Sequence, residues 1–273
     1  MKSVNSVVPT SIASSLWGNR KLILNLTKRE ITGRYKGSYF GILWSFFNPI
    51  FMLVVYTFVF SFIFNARWSV ENASKSEFAL VLFNGLIIFN LFAECANKSP
   101  SIILSNVNYV KKVIFPLEIL PVVNSLSAVF HAMISIVVWV LFYIIEVGIP
   151  HVTILLLPLL LLPVFLLITG VGWLFSAVGV FLRDIGQIIT ILVTALMFLS
   201  PIFYPITAIP EKYRPLLNIN PLAPAISQAR EIMYWGTIPS ISEYLIYLVS
   251  CSLFAWLGFV VFQKSRKGFA DVL

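Results

Sequence analysis

From Phe40 to Phe64 the chain carries no charged residue, and similar apolar runs return until six cover most of it: 40–64, 78–97, 119–145, 152–182, 185–209 and 244–262. A helix rising about 1.5 Å per residue crosses a hydrocarbon core of roughly 30 Å within such a run. The pattern predicts an all-α integral membrane protein with six transmembrane helices in a single domain, 1–273. Within it, 1–39 is an N-terminal cytoplasmic segment, 40–262 the membrane region and 263–273 a cytoplasmic tail.

The irregular stretches carry more information than the regular ones. Before the first span, Trp17, Leu24, Ile31 and Tyr35 recur at intervals of seven, seven and four. That places them on one face of a helix whose Arg20, Lys21, Lys28, Arg29 and Arg34 suit the headgroup layer, so an amphipathic interface helix is expected here. Gly33, Gly37 and Gly41 follow where the chain must turn from lying on the membrane to crossing it. The fourth span is uncharged from Val152 to Leu182 and is longer than a perpendicular helix needs, which predicts a tilt, or a kink at Pro158 or Pro163. Its Gly170, Gly172, Ser176 and Gly179 form a small-residue ladder suited to ordinary close packing of helices. The fifth span ends in SPIFYPITAIPEKY, where Pro201, Pro205 and Pro210 rule out an unbroken helix. On the residues alone this end is either a re-entrant turn near the outer surface or a kinked terminus. The stretch Lys98 to Leu120, KSPSIILSNVNYVKKVIFPLEIL, is too apolar for a solvated connector and should dock on the bilayer surface or a partner.

Composition excludes a soluble fold: 59% of residues are apolar, 11% are charged and the mean hydropathy is +0.93. A net charge of +8 is compatible with nucleic-acid binding, but no basic stripe interleaved with exposed aromatics accompanies it. Its distribution reads as topology. Fourteen Lys and Arg fall in segments on the N-terminal side of the six spans and five on the other, so both termini are expected in the cytoplasm. The first twenty residues lack a compact apolar core, so no cleavable leader is expected. Cys95 and Cys251 fall at different depths and are expected to be free thiols.

Chemistry is sparse. The intramembrane ionisable residues Glu94 and His131 are isolated in sequence, Glu146 and His151 lie on an outer turn, and no carboxylate pair stands at helical spacing within a span. A membrane transferase acting on a polyprenyl-linked sugar would need converging carboxylates or an activated nucleophile, and a proton-coupled carrier would need a chain of titratable groups. No metal site is expected. With no G-x-x-x-x-G-K-[ST] phosphate loop, the chain should bind no nucleotide itself.

Four segments in order, TKREITGRYKGSYFGILWSFFNPI, NVNYVKKVIFPLEILPVV, LRDIGQI and SPIFYPITAIPEKYRPLLNINPLAPAISQAREIMYWG, resemble the permease subunits of ABC-2 exporters of bacterial surface polysaccharide. Such permeases serve lipid-linked O-antigen, capsule and teichoic acid, and the resemblance runs from about Leu16 to Phe262. It implies a homodimer enclosing a channel in the bacterial inner membrane. It also implies two copies of a separate cytoplasmic ATPase that binds ATP and Mg, and a polyprenyl-pyrophosphate-linked polysaccharide, O-antigen foremost, as cargo. By match, Arg29, Glu30, Arg34, Tyr35, Arg183 and Asp184 fall in ATPase-coupling elements. Asn108, Lys111, Lys112, Phe115, Pro116 and Glu118 fall in a cytoplasmic gate loop. The re-entrant reading of the fifth-span ending gains support from the same resemblance.

Aromatic faces let sugar rings stack without being gripped, and of the 41 aromatics Phe47, Tyr56, Phe203 and Tyr204 are the expected channel lining. Arg34, Lys36, Lys111 and Lys112 lie at a depth suited to a lipid pyrophosphate. An ABC-2 exporter of a drug or small lipid would show the same helix count and charge pattern.

Overall fold

The computed structural model describes residues 9–59, 75–111, 115–217 and 219–273, and every regular element among them is helical. Two short helices, α1 (Pro9–Gly18) and α2 (Arg20–Arg34), precede α3 (Trp44–Tyr56). Next come α4 (Lys75–Lys98), α5 (Val107–Val110), α6 (Ile119–Glu146), α7 (Leu157–Phe181) and α8 (Ile185–Leu199). A run of short pieces includes α9 (Arg214–Leu217) and α10 (Ala223–Arg230), and α11 (Ile241–Ser265) and α12 (Phe269–Val272) close the chain. Among the described residues five helical stretches are long and apolar enough to span a membrane, namely Gly41–Val59, Glu77–Ser101, Ile119–Glu146, Val152–Phe181 and Ile241–Val272. This is an all-α membrane protein. The expected end of the first span, 60–64, lies outside the described residues, as does Lys112.

The fifth expected span is shorter than its apolar run. Helix α8 has 15 residues, about 22 Å at the helical rise, where the run 185–209 promised a full crossing. It stops because Ser200 precedes Pro201 and takes an extended conformation, φ −86° and ψ 146°. Asn220 then fastens the returning chain: its Nδ2 donates to the Ser200 hydroxyl at 2.9 Å and its Oδ1 accepts the Leu222 N–H at 2.9 Å. Farther on, Arg230 is 3% exposed and donates to the carbonyls of Ile202 at 2.9 Å and Val81 at 3.3 Å. Asn84 donates to the Ala229 carbonyl at 3.2 Å, and Tyr247 to that of Pro221 at 2.9 Å. Broken helices leave carbonyls without intrahelical partners, and buried side chains supply the donors here. The Pro-rich segment is therefore folded back into the bundle against α4.

The small-residue ladder of α7 is used by neighbours within the chain. A Cβ on Gly258 of α11 would run into the Gly170 carbonyl oxygen, one on Gly172 would touch Pro121 of α6, and one on Gly179 would meet the backbone of Pro100. Helix α4 forms the centre of the bundle, with Trp139 of α6 fully buried beside it and donating from Nε1 to the Leu80 carbonyl at 2.9 Å. Pro158 sits in the first turn of α7, where a missing N–H costs nothing, and Pro163 lies inside the helix. Between α2 and α3, Gly37 and Gly41 have φ of +86° and +53°, so the turn expected from glycine spacing rests on left-handed backbone at two of the three positions. Cys95 and Cys251 are buried free thiols.

Candidate functional site: the polar end of the bundle

At the end where α2, the 99–118 loop and the C-terminal segment gather, the apolar bundle gives way to three polar assemblies. The first joins residues that look unrelated in sequence. Glu94, near the end of α4, accepts from Arg34 Nη1 at 2.5 Å and faces His131 Nδ1 of α6 at 2.9 Å, while Arg34 Nη1 and His131 Nδ1 stand 3.0 Å apart. The Tyr35 ring meets the His131 ring edge-on, with centroids 6.2 Å apart. One turn away, Lys98 pairs with Glu30. Glu30, Arg34, Glu94 and Lys98 border a cleft of about 650 Å³ between α2, α4 and α6, whose rim also includes Arg29 and Ser127.

The second assembly ties α2 to the loop. Arg29 donates to the Tyr109 hydroxyl at 2.7 Å, and the Tyr109 ring stacks on Phe115 at a centroid distance of 4.2 Å. The third lies behind it. Glu118 is 4% exposed; its two carboxylate oxygens accept from the Ser15 hydroxyl of α1 and from Arg266 Nη1, each at 2.8 Å. Arg266 Nη2 also donates to the Phe115 carbonyl at 2.9 Å, and Trp173 Nε1 of α7 donates to the Glu118 carbonyl at 2.9 Å. Burying this carboxylate is tolerable because both of its oxygens are engaged. The N-terminal helix, the loop, α7 and the tail thus meet at one residue.

The remaining expected residues divide clearly. Lys36, Asn108, Lys111, Arg183 and Asp184 are exposed, and Pro116 is half-buried beside Phe115. Phe47 lies on the exposed side of α3, in a ladder of rings: Phe40 to Trp44 at 5.7 Å, Trp44 to Phe47 at 5.1 Å and Phe47 to Phe51 at 6.1 Å. Tyr56 packs against the core. Phe203 stacks on Phe198 at 6.1 Å and Tyr204 donates to the Phe198 carbonyl at 3.0 Å, so this pair belongs to the far end of α8.

Sequence reasoning treated Glu94 and His131 as isolated and passed over Ser15 and Arg266. One signal was available: an acid and a histidine in consecutive apolar helices each require a polar partner, and each other is the nearest choice. No comparable pattern pointed to Arg266, which reads as one of several tail cations. Among the described residues no group of three or more His, Cys, Asp or Glu could hold a metal.

Comparison with known proteins agrees with this architecture. The model of the ABC-2 type transporter family matches residues 21–234. The O-antigen export system permease protein RfbA of Klebsiella pneumoniae is 28% identical over 254 residues, covering 92% of this chain and 95% of the relative. RfbA of Myxococcus xanthus is 26% identical over 263 residues, covering 95% and 98%. The polysialic acid transport protein KpsM of Escherichia coli is 26% identical over 243 residues, covering 88% and 91%. With a family match that spans most of its length and the helical membrane bundle that carries it, this chain belongs to the ABC-2 type transporter family.

Proposed function

We propose that this chain is the membrane permease of an ATP-driven exporter that moves a polyprenyl-pyrophosphate-linked polysaccharide, O-antigen foremost, from the cytoplasm across the bacterial inner membrane. Two copies enclose the channel, both termini are cytoplasmic, and a separate ATPase subunit, also in two copies, binds ATP and Mg. The permease performs no covalent chemistry. Its curated relatives are export and transport proteins for O-antigen and polysialic acid, which supports a glycan as cargo.

The observation that carries this reading is the ring ladder on α3. Gly41–Val59 has 11% of its apolar window buried within the chain, against 83% for Glu77–Ser101, so α3 is free to face a partner copy and a translocating polymer. Successive rings at 5 to 6 Å, edge-on from Phe40 to Trp44 and from Trp44 to Phe47 and stacked from Phe47 to Phe51, offer sugar rings a row of aromatic contacts. Stacking of this kind tolerates sliding because it fixes no hydrogen-bond register. Phe47 belongs to the ladder, with Phe203 and Tyr204 at the channel's outer end. On the opposite side, α2 with Arg29, Glu30, Arg34 and Tyr35, and the Arg183–Asp184 turn, receive the ATPase. Exposed Lys36 and Lys111, with Lys112, are the cations available to the pyrophosphate, while Phe115 and Glu118 hold the loop in shape. The test is Trp44→Ala with Phe47→Ala: severalfold less surface polymer at unchanged membrane insertion supports the ladder's role, and normal export overturns it.

A further inference from the structure

Helices α8 and α11 both pack against α7, and with Phe92 and Ala96 of α4 and the segment before α11 they border a groove of about 1120 Å³. Its floor is apolar, built by Leu167 and Val171 of α7, Val193 of α8 and Phe254 of α11. Its sides include Leu192, 52% exposed, and Ile246, 69% exposed, so the groove opens sideways from the bundle. A volume above the roughly 300–1,000 Å³ of small-molecule pockets, with an apolar floor and a lateral opening, suits a long hydrocarbon chain.

The mouth is different. There Glu211 is 3.6 Å from Arg214, which leaves the carboxylates of Glu231 and Glu243 in excess. Burial, and then the neighbouring Glu243, push the Glu231 carboxyl above its ordinary value, as befits an acid short of positive charge. Gln228 also lines the groove. It is 3% exposed, and its Oε1 is a buried acceptor with no hydrogen-bond partner. A buried acceptor of this kind calls for a donor.

We infer that this groove holds a phospholipid with a primary ammonium headgroup, its acyl chain along α7 between α8 and α11 and its ammonium at Gln228, Glu231 and Glu243. A primary ammonium offers three N–H donors and a positive charge, which match one orphan carbonyl and two carboxylates. A choline headgroup carries the charge without a donor, and a glycerol headgroup leaves the lipid anionic beside two acids. The site is separate from the ring ladder and from the polar assemblies around α2. Its occupant is a resident lipid that fills the space between α8 and α11.

The experiment is native mass spectrometry of the full-length protein released from nanodiscs containing equal parts phosphatidylethanolamine, phosphatidylcholine and phosphatidylglycerol. One phosphatidylethanolamine retained per chain, in about tenfold preference over the other two, is the expected result, the equivalent of one charge-assisted hydrogen bond. Glu231→Gln with Glu243→Gln should bring the three lipids to near parity, and Val193→Trp, which fills the floor, should expel lipid whatever its headgroup. Unchanged thermal unfolding in each variant keeps folding out of the comparison. Equal retention of all three lipids, or a preference that survives both variants, overturns the inference. So does an efficient disulfide between copies through Ile246→Cys, which would show that a second chain covers the groove.

Discussion

Arg266 and Glu118 are 148 residues apart in sequence and meet at 2.8 Å, with the carboxylate side chain 5% and the guanidinium side chain 19% exposed. Through this contact the turn that follows α11 sets the position of the loop that precedes α6. The expected consequence of Arg266→Ala is a loss of about 3–5 kcal/mol, since it strands a buried carboxylate. Glu118→Leu with Arg266→Met should recover most of that loss, because removing both charges removes the stranded partner. Thermal unfolding in one detergent, with limited proteolysis of the tail, measures both variants.

The crossing of α7 and α11 depends on absent side chains. Gly258→Ala should cost about 1–3 kcal/mol because the new methyl meets the Gly170 carbonyl, and an overpacked interface has to separate. Gly33→Ala is the contrasting case. Nothing lies within 4 Å of its added Cβ, so helix α2 should gain about 0.5–1 kcal/mol. Melting temperatures that shift in opposite directions would verify the pair.

A double-mutant cycle on Arg34→Ala and Glu94→Gln should give a coupling of about 0.5–1 kcal/mol, at the low end for a charged pair because the Arg34 side chain is 54% exposed. The coupling should shrink when His131→Ala is the background, since His131 Nδ1 shares the same carboxylate. Additive effects in all backgrounds would mean that the three groups act separately.

Much of this was legible beforehand. Uncharged runs located the long helices of the bundle, because a bilayer leaves a helix few alternatives. Glycines at 37 and 41 announced the turn into α3, and prolines at 201, 205 and 210 announced the end of a regular α8. The length of α8 was not legible: Pro201 acts on the residue before it, while the apolar run continues past the break. The Glu94–His131–Arg34 cluster and the Glu118–Arg266 lock stayed hidden for a different reason. Each joins residues from separate helices, and helix rotation decides such meetings without leaving a local pattern.

Reversing the charge of Lys111 and Lys112, in the loop proposed as a gate, should separate insertion from transport. Lys111→Glu with Lys112→Glu is expected to lower surface glycan severalfold while the protein accumulates normally in the membrane. Immunoblotting of membranes beside a surface-glycan gel measures both. Unchanged surface glycan would discard the role given to this loop.

The most direct measurement is deletion of the gene in its host, followed by a surface-glycan gel beside an assay for lipid-linked polymer retained inside the cell. Export of a finished glycan predicts loss of the surface polymer with accumulation of the lipid-linked polymer in the cytoplasm. An unchanged surface glycan, or its loss with no polymer retained, would contradict the account.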